Sequence, residues 1–280
     1  MRSAVGEGDG SGVWEVAVPE RRYRVAGFRM AGFRDCGASA VDLKMIPQPT
    51  VMLALGFGSG SHWVDDSGGR RVPGSVVAGL GAGSRGGVRV RGGGFSGVQV
   101  RLSPLVVRAA LGIAPADLDG AVVALDEVWG REAARIREQL DAASSWEQCF
   151  ALTYALLAGR IAQGPCVDPE VGRVWRRILA SRGVVRVEAL AAEVGWSRRR
   201  LWSRFQAQIG LPPKQAANLV RFDHAVHRLA AGDGAARVAA ESGYADQSHL
   251  HRDVVALTGA TPAAAAGEPW LDVDPLAWGG

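Results

Sequence analysis

Between Val187 and Pro262 the chain writes one plan twice, and no other stretch limits the fold as tightly. The first copy reads VEALAAEVGWSRRRLWSRFQAQIG and the second ARVAAESGYADQSHLHRDVVALTGATP. Each opens with a short Ala-rich amphipathic segment and turns at a glycine followed by an aromatic residue, Gly195-Trp196 and Gly243-Tyr244. A capping residue follows, Ser197 or Asp246, whose side-chain oxygen can accept from the N–H groups that a helix start leaves free. Helical spacing then sorts the residues. In the first copy Leu190, Ala191 and Val194 share a face onto which Leu201 and Phe205 can pack, leaving Arg199, Trp202, Ser203 and Gln206 on the far side. In the second copy Val238 and Ala239 meet Leu250, Val254 and Leu257, and Gln247, Ser248, His251 and Arg252 point outward. This is a helix-turn-helix plan, present twice. Between the copies Pro212-Pro213 open a connector helix with apolar residues at Leu219, Phe222, Val226 and Leu229, closed by Ala231-Gly232-Asp233-Gly234.

The order LAAEVGWSRRRLWSRF, GLPPKQAANLVRFDHAVHRLA, VAAESGYADQSHLHRDV and LTGATP resembles the DNA-binding domain of the AraC/XylS family of bacterial transcription regulators. The resemblance runs from Glu170 to Ala266, about a third of the chain. It implies two recognition helices in successive major-groove segments on one face of DNA. Laid residue by residue, its groove-facing positions fall on Arg199, Trp202 and Ser203 and on Gln247, Ser248, His251 and Arg252, with Gln206 and His249 beside them. Arg198 and Arg200 are expected on phosphates, which position a protein without specifying sequence. An Arg can clamp guanine through two hydrogen bonds, worth roughly 1–3 kcal/mol of discrimination. Trp202 can pack on a thymine methyl or sugar; the competing reading packs it inside the domain. The chain departs from the family at Val254, where Phe is usual, and at Val255 and Ala256, often basic. It also lacks a capping Ser, Thr or Asp before Val187.

Charge follows the motif. Glu170 to Pro262 holds 14 Arg and Lys against 8 Asp and Glu, a net of +6, while the remainder holds 18 against 20, a net of −2. Neutralising phosphates and releasing counterions requires that excess where DNA is met. Partners implied are double-stranded promoter DNA, a small-molecule effector, RNA polymerase for an activator, and a second copy in a homodimer. The length of 280 residues suits two domains. No run reaches the apolar length of a membrane span, and MRSAVGEGDGSG has no apolar signal core. Three scattered cysteines, Cys36, Cys149 and Cys166, without a CxxC, read as a reduced cytoplasmic protein.

The expected fold is α+β in two domains. Residues 1–12 read as a disordered tail of Gly, Ser and charge. Residues 13–162 read as a β-rich sensor domain, barrel- or sandwich-like, with a helical extension. Its strand signals are WEVAV, YRVAGFRMAGF, VMLALGFG, SVVAGLGAG and GVRVRGGGFSGVQVRL, with Asp65 to Gly69 as a hairpin loop. From about residue 105 the texture turns helical, with Leu125, Val128, Trp129, Ala133, Ile136 and Leu140 in phase. Phe150 to Ile161 is apolar on more than one side and reads either as buried or as a dimer seam. The passage from Gly94 to Gly130 is similar to the sensor regions of one subgroup of the same family, which says nothing of what is bound. Residues 163–169 form the linker, 170–267 the AraC-type domain and 268–280 a tail with Trp270 and Trp278 that either docks or hangs free.

Other motifs weigh less. Gly81 to Gly86 matches GxGxxG, but the strand-like GVRVRGGG follows where a dinucleotide fingerprint needs a helix, so a glycine-rich hairpin is expected. His249 and His251 diverge on a helix and do not suit a shared metal. His224 and His227 are three apart on the connector and read as an exposed helix face. His62, Trp63, Asp65 and Asp66 either line a ligand pocket or form a loop with an aromatic plug. The alternative function is an enzyme, such as a DNA-repair methyltransferase, fused to a DNA-binding domain. That type needs a four-cysteine zinc cluster, which three cysteines cannot supply. No catalytic residue, metal or cofactor is assigned.

Overall fold

The computed structural model describes residues 2–7, 13–23, 27–37, 40–66, 68–84, 87–118 and 120–278. Strands come first: β1 (Arg2–Glu7), β2 (Val13–Val18), β3 (Phe28–Asp35), β4 (Val41–Met45), β5 (Val51–Phe57), β6 (Ser61–Asp65), β7 (Arg71–Pro73), β8 (Val76–Ala78), β9 (Val88–Gly93) and β10 (Ser96–Leu102). Helices α1 (Val107–Leu111) and α2 (Pro115–Leu118), a last strand β11 (Val122–Ala124), and helices α3 (Leu125–Trp129), α4 (Arg131–Asp141) and α5 (Trp146–Gln163) complete the N-terminal half. Two antiparallel sheets result, with strand orders β1-β2-β3-β10-β5-β8-β11 and β4-β9-β6-β7.

The tail expectation needs correcting: Arg2–Glu7 pairs with β2 as strand β1, while residues 8–12 lie outside the described residues. The expected hairpin loop after Asp65 is seen between β6 and β7, where the Asp66 carboxylate accepts from Gly68 and Arg70 N–H groups; Ser67 is not described. Gly81–Ser84 forms turns, strand β9 follows, and Arg85-Gly86 lie outside the described residues.

The period-2 alternation of the strands gives the larger sheet two apolar faces. Leu53, Leu55, Val98, Val100 and Leu102 face the helices, which bury Ile136, Leu140, Trp146, Phe150 and Leu157 against them. Each such Leu or Phe is worth about 1.5–3 kcal/mol when fully buried. Trp14, Phe33, Leu43, Val64, Val76 and Val88 fill a second core between the sheets. Gly32 admits the Trp146 ring: a Cβ there would sit 2.5 Å from Trp146 Cε3. The in-phase run from Leu125 to Leu140 is two helices, broken at Gly130 with φ 54°. In α5, Phe150, Thr153 and Leu157 are buried, and the remaining apolar residues between Ala151 and Ile161 other than Ala155 are half-buried.

The C-terminal half is helical: α6 (Pro169–Ala180), α7 (Val187–Glu193), α8 (Arg198–Ile209), α9 (Pro213–Ala230), α10 (Ala235–Glu241), α11 (Gln247–Thr258), α12 (Pro262–Ala266) and α13 (Pro269–Trp278). The two halves share packing. The end of α8 meets α2, and a Cβ at Gly210 would lie 2.8 Å from the Pro115 carbonyl oxygen. Asp168 accepts from Arg204 at 2.7 Å and donates its N–H to Gln208 at 2.7 Å. The last segment docks: α13 lies on β2, β3, β4 and α9. Among the described residues no helix is long and apolar enough to cross a membrane.

Candidate nucleic-acid interface

Each unit is built by the same devices. In the first, Leu190 and Ala191 of α7 are buried against Leu201, Phe205 and Ile209 of α8, with Trp175 of α6 packed on Phe205 at a ring distance of 6.4 Å. Gly195 takes φ 66° to turn the chain, and Ser197 Oγ caps α8 by accepting from the Arg200 N–H at 3.2 Å. α7 starts at Val187, and its N-cap Arg186 makes no side-chain cap, as the missing Ser, Thr or Asp implies. In the second unit Val238 and Ala239 of α10 meet Leu250 and Val254 of α11. Gly243 takes φ 74°, and the Asp246 carboxylate accepts from the His249 N–H at 2.7 Å. Val254, smaller than the usual Phe, is still fully buried. The 18-residue α9 joins the units; at 1.5 Å per residue it spans about 27 Å.

The expected reading residues divide by environment. Arg199, Trp202, Ser203, Gln247, Ser248, His251 and Arg252 are exposed. Trp202 is 52% exposed, so the alternative that packs it inside the domain does not hold. Arg199 has no hydrogen-bond or ion-pair partner among the described residues. Arg198 is exposed and pairs with Glu188 at 3.1 Å, and Arg200 stacks over Trp196 at 4.7 Å. The Glu188 carboxyl lies below its usual range through a hydrogen bond to its own backbone and then the Arg198 guanidinium.

Gln206, placed on the far side by spacing, and His249, set beside the groove-facing positions by the resemblance, are both drawn inward. Gln206 is half-buried and its Oε1 has no partner. His249 accepts from the Ala245 N–H through Nδ1 at 3.3 Å and sets its ring edge-on to Tyr244 at 5.2 Å. The turn geometry that makes Asp246 the cap folds His249 back over it.

Sequence reasoning missed the residues that hold α11 in place. Arg221 of α9 donates to Asp253 at 2.7 Å and lies over the buried Tyr244 ring at 4.4 Å. Burial pushes the Tyr244 hydroxyl up. Arg221 fell among the connector's polar positions, and only its distance in space from Asp253, 32 residues away in sequence, reveals the pairing. A second correction concerns His224 and His227, expected on an exposed helix face. Both are half-buried and line a cleft between α9 and the N-terminal half.

Residues 190–266 match the family described as a helix-turn-helix domain. No curated protein matches the chain. Among solved structures, unsaturated fatty acid-bound ToxT from Vibrio cholerae is 11% identical, with 86% of this chain and 95% of that one covered and a TM-score of 0.48. The C-terminal domain of AraT, a response regulator from Geobacillus stearothermophilus, is 18% identical over 36% of this chain and 85% of that one, with a TM-score of 0.34. The match falls on the two capped, glycine-turned units described above, joined by α9 in the order quoted from the sequence. Residues 190–266 of this chain form a helix-turn-helix domain built from two such units.

Proposed function

We propose that the chain is a sequence-specific transcription regulator that reads promoter DNA with α8 and α11. The observation that carries this is the pair of exposed donor faces, Arg199, Trp202 and Ser203 on one helix and Gln247, Ser248, His251 and Arg252 on the other, in units joined by one helix. A connector of about 27 Å suits two adjacent major-groove segments one helical turn, about 34 Å, apart. Arg198 and Arg200 serve as phosphate contacts, and the site is the domain 170–267 reached through the linker 163–169. DNA as partner places the protein in the cytoplasm, where RNA polymerase meets it if it activates and two copies can pair on one promoter.

The β-rich half, 13–162, senses a small molecule or mediates association. Support for the first role is a cavity between the two sheets, about 730 Å³ counting its open mouth, lined by Trp14, Phe33, Met45, Met52, Phe95 and Val122 among others. His62 lines it beside Gly56, where a Cβ would lie 2.2 Å from the imidazole. Burial lowers the His62 pKa, which favours the neutral ring. Gln99 points the same way and its Oε1 is buried without a partner. An apolar wall with few polar groups suits a small, mostly apolar effector.

The test is selection of fragments from a random duplex library by the purified protein at physiological salt. Two short blocks about one helical turn, roughly 34 Å, apart are expected. Enrichment without a motif, lost as salt rises, would reduce the domain to nonspecific binding and sink the proposal.

A further inference from the structure

α13 ties the two halves together through a buried charge. Its Asp274 is 4% exposed and meets a cation from each half. Arg101 of β10 donates to one carboxylate oxygen, and His227 of α9 donates to the other through Nε2 at 3.0 Å. The orientation of that imidazole is fixed from behind, because its Nδ1 donates to the Asp223 backbone carbonyl at 2.7 Å. One turn further on, the Trp278 ring lies 4.3 Å from the Arg101 guanidinium, and Ala277 and Trp278 join the apolar core between the sheets. The helix thus seats its apolar end in the N-terminal half while its carboxylate reaches the connector that carries both reading units.

A buried carboxylate held by two cations is the arrangement that proteins use to receive a carboxylate ligand. Here Arg101, His227 and Asp274 all line the cleft between α9 and the loop at Gln48–Thr50, about 1130 Å³ counting its open mouth. At its rim Arg182 stands in the left-handed region, φ 51°, a conformation a non-glycine residue adopts at some cost. Its guanidinium faces His224 Nε2 at 3.3 Å. The cleft therefore leads past Arg182, His224 and the Asp223 carboxylate to the place where Asp274 sits.

We propose that Arg101 and His227 form a carboxylate socket at the junction of the two halves, filled in cis by Asp274, so that α13 is a latch on α9 for which a free small carboxylate in the cleft competes. The socket stands on the geometry alone; its effect on DNA rests on the function proposed above. Latched, α9 is braced at His227 while both reading faces stay exposed, so the closed latch preorganises the DNA-bound form.

Asp274→Ala tests the socket, with acetate as the probe that replaces the missing carboxylate. Amide exchange in α13 and across His224–Ala230 is expected to rise about tenfold as local opening becomes easier, and affinity for the selected DNA fragment to fall several-fold. Sodium acetate at millimolar concentration should slow exchange across His224–Ala230 and restore DNA affinity by bridging Arg101 and His227, while leaving α13 free because acetate cannot tether it, and sodium chloride at equal ionic strength should do neither. His227→Gln should release α9 without acetate rescue, since one wall of the socket is gone. Wild-type exchange in Asp274→Ala, or acetate acting no differently from chloride, would overturn the socket. Faster exchange with unchanged DNA affinity would overturn the latch. If Asp274→Ala does not fold, His227→Gln decides alone: faster exchange at residues 224–230 supports the socket, and wild-type exchange there refutes it. If the wild type selects no DNA sequence, the proposed function fails while the exchange data still judge the socket.

Discussion

Arg199→Ala and Arg198→Ala sit on adjacent residues of α8 and are expected to fail differently. Arg199 is exposed and unpartnered among the described residues, so its removal leaves no buried group unpaired, and Ala is the better helix former. Folding stability should not change. If Arg199 clamps a guanine, its loss costs about 1–3 kcal/mol on the selected fragment, or about 5- to 150-fold in Kd, with less than about twofold on random duplex. Arg198 already neutralises Glu188 at 3.1 Å. On DNA it exchanges that carboxylate for a phosphate, so its loss should weaken selected and random duplex equally and reduce the salt slope by about 0.9. Fluorescence anisotropy with both duplexes, from about 50 to about 200 mM salt, separates the cases. If the two variants lose affinity in the same ratio on both duplexes, the face assigned to α8 is wrong.

Three further expectations follow from the packing. Trp202→Ala should leave thermal stability within about 0.5 kcal/mol, as for surface substitutions generally, yet weaken binding to the selected fragment in the same anisotropy assay. Phe205→Ala removes a fully buried ring from between α7 and Trp175 and should cost about 3–5 kcal/mol in denaturant unfolding of the C-terminal domain. The third concerns pH. The Asp274 carboxylate holds the His227 imidazolium up to about 9 against its burial, with Asp223 adding to the effect. A histidine raised above its unfolded value near 6.5 stabilises fully below that value and loses the contribution as pH rises through about 9. Asp223, which burial raises to about 6, titrates earlier, and Arg101, Arg182 and His224 also face this site. Thermal stability should therefore fall between about pH 6.5 and about pH 9, and His227→Gln should flatten that fall.

The C-terminal half was legible because its rules are local. Helical periodicity fixed which sides of α8 and α11 are buried at Leu201, Phe205, Leu250 and Val254, and caps and αL glycines marked the turns. Gln206, placed on the far side by spacing, is half-buried, because periodicity gives an angle around a helix and not the reach of the neighbouring turn, and His249 turns back to the Ala245 N–H. In the N-terminal half the alternation of VMLALGF and SGVQVRL revealed strands, but sheet order did not follow. β10 pairs with β3 and β5, partners 62 to 74 and 39 to 51 residues away, and nothing local encodes that choice. The latch was invisible for the same reason. Asp274 reads as a solvated acid in a short tail, and only the fold brings Arg101 and His227 to it.

The two reading helices are unequal in charge, and the inequality predicts where salt acts. α8 carries Arg198, Arg199, Arg200 and Arg204, although Arg204 is committed to Asp168 and Arg198 shared with Glu188. α11 carries Arg252 alone, while Asp253 is neutralised by Arg221 and the positions after the buried Val254 are Val255 and Ala256, both exposed. With so few cations, α11 has little to hold on phosphates, and under the proposed function its contribution comes through base edges at Gln247, Ser248, His251 and Arg252. Counterion release then belongs mainly to the first unit. Replacing Arg198 and Arg200 together by Ala should reduce the slope of log Kd against log salt by about 1.8, whereas Gln247→Ala with Ser248→Ala should leave the slope unchanged and relax sequence choice at one block of the selected fragment. A slope that falls equally for both pairs would show that phosphate contact is shared between the units, and the division of labour argued from α8 and α11 would fall with it.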